Sequence, residues 1–100
     1  MMANEKYYEI LKLRTMLEDG NIPHEVSELC NGWHICYPDD KEVICSVIEH
    51  DGSYGKERDL LEIMGLLTDL ESQYDTVCGG LAADDVCNRI KNDYSKNGGN

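Results

Sequence analysis

The sequence predicts an α+β fold: an N-terminal helix, a three-stranded antiparallel meander, then two or more C-terminal helices packed on one sheet face. Two observations predict it. Apolar residues recur at helical spacing near both ends of the chain, and three strand-like runs separated by turn residues lie between them. A chain of 100 residues suits a single domain, which we place at residues 1–94, followed by a flexible polar tail at 95–100.

The first helix is predicted over residues 4–18. Asn4 suits the N-cap, and Gly20 suits the position just after the last helical residue. The apolar residues of one helix face are Tyr7, Ile10, Leu13 and Leu17. This face is expected to lie on the sheet.

Three strands follow, at His24–Cys30, Trp33–Tyr37 and Glu42–Glu49. The first turn contains Asn31-Gly32, the strongest short signal for a hairpin, and the second is predicted at Pro38–Lys41. The strands therefore form an antiparallel meander.

Two-residue turns would place Val26 opposite Tyr37, and Ile35 opposite Ile44. One face then carries Val26, Cys30, Trp33, Ile35, Tyr37, Ile44 and Ile48. We expect Trp33, Ile35, Tyr37 and Ile44 of this face to be buried against Ile10, Leu17, Leu60 and Met64. The other face carries Ser27, Leu29, His34, Cys36, Val43, Cys45 and Val47. Because Leu29, Val43 and Val47 would remain uncovered there, we expect the chain to form a homodimer.

The second half of the chain is predicted to be helical. A helix is expected from about Lys56 to Leu66, and Thr68–Glu71 fits a capping box that starts a further short turn. Residues 72–80 are predicted to be irregular, and a last helix should run from Ala82 to about Tyr94.

The charge of the chain excludes some classes of binding partner, and its cysteine content indicates a cellular compartment. The chain has 20 acidic and 9 basic residues, a formal charge of −11, and residues 59–88 contain no base. Such a chain should be repelled by nucleic acids and anionic membranes, so we expect no direct nucleic-acid or membrane partner. Five cysteines without a CxxC pair, and no signal-peptide pattern, favour reduced thiols in the cytoplasm.

Two groups of residues are candidates for chemistry. His34, Cys36 and Cys45 share a predicted sheet face and offer zinc ligands, although no fourth ligand is evident, so a structural role is the alternative that we favour. Glu49 and its two neighbours His50 and Asp51 are titratable, but no nucleophile with an evident base accompanies them. We therefore expect no enzymatic activity, no metal site and no cofactor.

A glycine loop before the predicted second helix is a candidate ligand site. Backbone amides at a helix N-terminus attract anions, and an aromatic ring can stack on a base. The residues of this loop are His50, Gly52, Ser53, Tyr54, Gly55, Lys56 and Arg58. Binding of a nucleotide signal is thus an alternative function, whereas a simple strand-to-helix connection is the plainer interpretation.

The acidic surface admits two interpretations. Its carboxylates either keep the protein solvated or act as a decoy that occupies the phosphate-binding groove of another protein. The residues assigned to this surface are Glu25, Glu28, Asp39, Asp40 and Glu42.

The segment SVIEHDGSYGKERDLLEIMGLLT, Ser46 to Thr68, resembles a group of small, acidic, mostly uncharacterised phage and prophage proteins of Firmicutes from gut Clostridia. The resemblance extends from the first helix to the last. It implies a phage-linked origin and expression inside a bacterial host cell, and no activity, cofactor or catalytic residue. Together with the charge, it favours a non-enzymatic inhibitor of a host nucleic-acid-handling defence protein, for example an anti-CRISPR protein.

Overall fold

The computed structural model describes residues 8–29, 32–49 and 60–97. Its elements are α1 (Tyr8–Asp19), β1 (Glu25–Leu29), β2 (Gly32–Pro38), β3 (Val43–Glu49), β4 (Leu61–Met64), α2 (Asp69–Tyr74), β5 (Val77–Leu81) and α3 (Ala83–Lys96). The five strands form one antiparallel sheet in the order β1-β2-β3-β4-β5. The α+β class is therefore confirmed, and the meander has five strands instead of three.

The helix predicted over residues 56–66 is wrong in its described part, which contains β4. Leu61 and Ile63 are fully buried, whereas Glu62 and Met64 face the other side of the sheet. This alternation has a period of two, and pairing with β3 favours the strand. A short apolar run of this kind also fits a helical spacing, which explains the wrong prediction.

The stretch 72–80, predicted to be irregular, contains the end of α2 and most of β5. The capping box that begins α2 is confirmed: the Glu71 N–H donates to the Thr68 hydroxyl, and the Thr68 N–H donates to the Glu71 carboxylate. β5 contains two glycines and few β-branched residues, so its sequence gives little indication of a strand.

α1 lies with Ile10, Leu13 and Leu17 buried, as the helical spacing predicts. Asn4 and Tyr7 lie outside the described residues. The left-handed residue after the helix is Asn21, with φ 55°, instead of Gly20. The Ile22 N–H then donates to the Leu17 carbonyl at 3.0 Å, which closes the helix end and buries Ile22.

The strand register differs from the prediction, and for β3 the difference reverses the two faces. Ile35 lies opposite Val47 instead of Ile44, a shift of three residues, whereas β1 shifts by two and keeps its faces. An odd shift moves every side chain of a strand to the other side. The longer connection at 39–42 accounts for two residues of the shift, and the irregularity between Tyr37 and Pro38 adds the third, which makes the shift odd.

The core lies between one sheet face and the helices α1 and α3. Its largest fully buried apolar side chains are Ile10, Leu13, Leu17, Ile35, Leu61, Ile63, Ile90, Val47 and Val86. Burial of Ile35 and Tyr37 is confirmed, and Trp33 is partly buried against the core. The predicted burial of Ile44 and Met64 is wrong, because both lie on the opposite sheet face and are 36% and 54% exposed.

The last helix, α3, is confirmed and continues to Lys96. Its N-cap, Ala82, makes no side-chain hydrogen bond. Instead, the Ala83 N–H donates to the Glu9 carboxylate of α1 at 2.6 Å. A carboxylate from another helix therefore caps α3, at the positive end of its dipole.

Candidate functional site

Four acidic residues lie at the sheet end where β2 turns into β3. We call Glu25, Asp39, Asp40 and Glu42 the acidic corner. Glu25 is the strand partner of Cys36, and the other three follow directly after β2. Burial raises the pKa of the Cys36 thiol, and the negative charges of Asp40, Glu25 and Asp39 raise it further. Three of the four carboxylates thus act on one thiol from β1 and from the turn.

The turn itself fixes one of these carboxylates. Asp39 Oδ1 accepts the backbone N–H groups of Lys41 and Glu42, both at 2.9 Å. The bond from Glu42, and then that from Lys41, holds the pKa of Asp39 below its ordinary value. The carboxylate is therefore ionised and oriented at neutral pH, with Lys41 as the neighbouring base.

Glu28, assigned to the same surface from the sequence, lies apart from the acidic corner. It is the strand partner of Trp33 and belongs to the other side of the sheet from Glu25. Its side chain is exposed. The structure therefore brings together four of the five predicted residues.

The sheet face that points away from α1 and α3 is named here the open face. Its side chains include Glu25, Ser27, His34, Cys36, Ile44, Ser46, Ile48, Glu62, Met64 and Val77. Most are partly or largely exposed. None of the five strands contains Lys or Arg. The open face is therefore apolar and acidic, and it adjoins the acidic corner at Glu25.

The predicted grouping of His34, Cys36 and Cys45 on one face is wrong. Cys45 is fully buried on the core side, because the register of β3 is shifted by an odd number. Within residues 8–29, 32–49 and 60–97, no three His, Cys, Asp or Glu side chains are placed to hold a metal ion.

His34 instead interacts with two residues of the open face. Its Nε2 lies 2.7 Å from the Ser46 hydroxyl and 3.4 Å from Cys36 Sγ. Burial lowers the pKa of His34 and raises that of Cys36, so both are neutral at pH 7. A nucleophilic cysteine requires the opposite, a thiolate stabilised by a nearby positive charge. This contact is suited to a structural role.

Glu49, considered for acid–base chemistry, is 1% exposed, and its Oε1 accepts the Ile10 N–H at 3.1 Å. That bond caps the first turn of α1. His50 and Asp51 lie outside the described residues.

The predicted ligand loop also lies outside the described residues. Its members are His50, Gly52, Ser53, Tyr54, Gly55, Lys56 and Arg58. Of the helix expected to follow them, residues 61–64 form the strand β4, so the described residues give no support to an anion site at a helix N-terminus. Nucleotide binding by this loop stays a prediction.

A small cavity of about 50 Å³ opens on the open face between β3, β4 and β5. It is lined by Ser46, Ile48, Glu62, Ile63, Met64 and Val77. Sequence reasoning missed it because it depends on β4 and β5. A groove of about 310 Å³ also follows α1, and within residues 8–29, 32–49 and 60–97 its lining comes from that one helix.

Comparison of the chain with protein-family models, with curated proteins and with solved structures finds no match. Among the described residues, no helix combines the length and the apolar character needed to cross a membrane.

Proposed function

We propose that this chain is a non-enzymatic inhibitor that binds a nucleic-acid-handling defence protein of a bacterial host. The acidic corner would occupy a basic groove that otherwise holds phosphates. The observation that carries the proposal is the convergence of Glu25, Asp39 and Asp40 on Cys36, from β1 and from the β2–β3 turn. The resemblance to phage proteins supplies the biological setting.

Two physical features support a binding role for the corner. Asp39 is held by two backbone N–H groups, so this carboxylate is oriented before any partner arrives. A concentration of negative charge with one neighbouring base, Lys41, also attracts a basic surface at long range and accelerates encounter.

The arrangement of the basic residues gives further support. Lys12 pairs with Asp84, and Arg14 pairs with Glu18, on the helices. The strands are free of Lys and Arg. The five strands therefore contribute no Lys or Arg that would repel a basic partner.

The experiment begins with capture of partners from a host lysate, followed by purification of each partner and measurement of its affinity at several salt concentrations. Asp40→Lys with Glu42→Lys should weaken binding about tenfold or more and flatten the salt dependence. The matched control is Glu28→Lys with Asp75→Lys, which changes the net charge equally at exposed sites away from the corner. It should retain most of the affinity.

Inhibition is tested by nucleic-acid binding and cleavage assays of the purified partner. The chain should compete with the nucleic acid for the partner, and the corner variant should compete poorly. Equal loss in both variants would mean that net charge alone drives binding, and the proposed role of the corner would be abandoned.

A further inference from the structure

The cavity on the open face is built by three neighbouring strands. Ser46 and Ile48 of β3 lie opposite Met64 and Glu62 of β4, and Met64 lies opposite Val77 of β5. Consecutive antiparallel strands thus surround the cavity on a rigid scaffold, where side-chain positions are better defined than on a loop.

The size of the cavity indicates what kind of group can occupy it. Sites for nucleotides or other small-molecule ligands enclose roughly 300–1,000 Å³. The cavity has about 50 Å³, which is the space for the end of one side chain. A protein partner that inserts a single anchoring residue fits this dimension.

The residues that line the cavity indicate which side chain of a partner would fit. Ile48, Met64 and Val77 provide aliphatic walls, and Glu62 provides a carboxylate beside them. The Ser46 hydroxyl is already bonded to His34. Lys and Arg side chains match such a site, since they pack an aliphatic stem on apolar surface and direct a cationic head to an acceptor.

Charge argues against a second copy of the chain as the occupant. If two open faces met, acidic residues such as Glu62 and Glu25 would approach another face whose strands also contain no Lys or Arg to compensate. The apolar residues expected to drive a homodimer also differ from the observed ones, because Val47 is buried in the core.

We infer that the open face is the docking surface for a basic protein partner, and that one Lys or Arg of that partner enters the cavity beside Glu62. This inference rests on the proposed function, which it extends from the acidic corner to the adjacent sheet face. The aliphatic stem lies between Ile48, Met64 and Val77, and the cationic head bonds the Glu62 carboxylate.

A fragment titration tests the cavity without any partner. The probes are n-butylammonium and n-butylguanidinium, which reproduce the ends of Lys and Arg, with butyrate and n-butanol as controls. In NMR spectra, both cations should shift the methyl signals of Ile48, Met64 and Val77 with millimolar saturation, whereas the controls should not. Glu62→Gln should weaken cation binding about fivefold or more.

Several outcomes would overturn the inference: no shift, shifts confined to other surfaces, or equal shifts with n-butanol. If NMR lines broaden as the protein concentration rises and the shifts caused by the cations disappear, the open face binds a second copy of the chain instead. A cation response that appears only after Lys56→Ala with Arg58→Ala would assign it to the chain's own residues 50–59.

The purified partner separates this inference from the proposed function. If Glu62→Gln leaves partner affinity intact while reversal at the acidic corner reduces it, the proposed function stands and the cavity is not the anchor. If neither Glu62→Gln nor charge reversal at the acidic corner changes the affinity for the partner, both proposals fail. A loss of about tenfold with Glu62→Gln, in a variant with an unchanged unfolding midpoint, supports the anchor.

Discussion

Arg89 of α3 holds α2 through a paired contact with Glu71. Its two terminal nitrogens donate to Glu71 Oε1 at 2.8 Å and Oε2 at 2.9 Å, and one of them also donates to the Leu66 carbonyl. The Arg89 and Glu71 side chains are only 16% and 25% exposed. Glu71→Gln is the informative substitution, because Gln retains the capping box with Thr68 and loses the charge.

The hydrogen bonds from Arg89, and then that from the Thr68 N–H, lower the pKa of Glu71 from 4.5 to about 2. A pKa change of this size corresponds to at most about 3.5 kcal/mol in the free energy of unfolding, at roughly 1.4 kcal/mol for each pKa unit. Screening by water around the partly exposed pair reduces the expected value to about 1–2 kcal/mol. Because the folded pKa is depressed, this stability is present above about pH 4.5 and is lost as the pH falls towards about 2.

The measurement is urea unfolding followed by circular dichroism, for the wild type and Glu71→Gln, from neutral pH down to about pH 2. The wild type should be more stable by about 1–2 kcal/mol at neutral pH, and the difference should shrink below about pH 4.5. The control is Glu18→Gln, which removes an exposed ion pair with Arg14 and should change stability by less than about 0.5 kcal/mol. A difference that is independent of pH would refute the electrostatic explanation.

Three further substitutions or probes test the fold. Gly65→Ala should destabilise the protein by about 2–4 kcal/mol in urea unfolding, because φ is +94° and a Cβ would collide with the Ile44 carbonyl; a neutral result would contradict that packing. Tyr37→Phe removes the 2.8 Å bond from the hydroxyl to Asp93 and should lower thermal stability by about 1–2 kcal/mol, whereas an unchanged Tm would count against the bond. Cys45 should resist a disulfide thiol reagent at mildly alkaline pH until urea is added, since burial raises its thiol pKa to about 12; rapid native labelling, read by mass spectrometry, would disprove this.

The sequence predicts the local structure of this chain better than its pairings. Turn residues and strand-like runs identify β1, β2 and β3, and the helical spacing identifies α1 and α3. The faces of β3 depend on the irregularity between Tyr37 and Pro38, which adds one residue to the even shift of two that the longer turn at 39–42 produces. One extra residue within the pairing of two strands reverses a face, so composition alone does not predict which of Val47 and Ile48 is buried.

The candidate site, like the fold, was predictable in its local features and not in its strand pairings. The acidic corner was predictable because its turn residues are contiguous and acidic. The separation of Glu28 from Glu25 also follows from the alternation of β1, whose predicted faces are correct. The cavity beside Glu62, in contrast, required two strands with weak sequence signals. β4 fits both helical and strand spacing, and β5 is short and rich in glycine. Such segments become strands through pairing with neighbours that are distant in sequence.

The two carboxylate caps have a consequence for the order of folding. Glu49 closes the first turn of α1 across 39 residues of sequence, and Glu9 closes the first turn of α3 across 74. The N-cap of α3 makes no side-chain hydrogen bond of its own, so the start of α3 is completed only after α1 has docked, and the Glu49 bond likewise ties the first described turn of α1 to β3. Bringing together residues so far apart in sequence costs conformational entropy before their contacts stabilise the fold. Such contacts favour slow, highly cooperative folding. The amide hydrogen of Ala83 should therefore exchange with solvent only when α1 detaches, and it reports the docking of a helix at the other end of the chain.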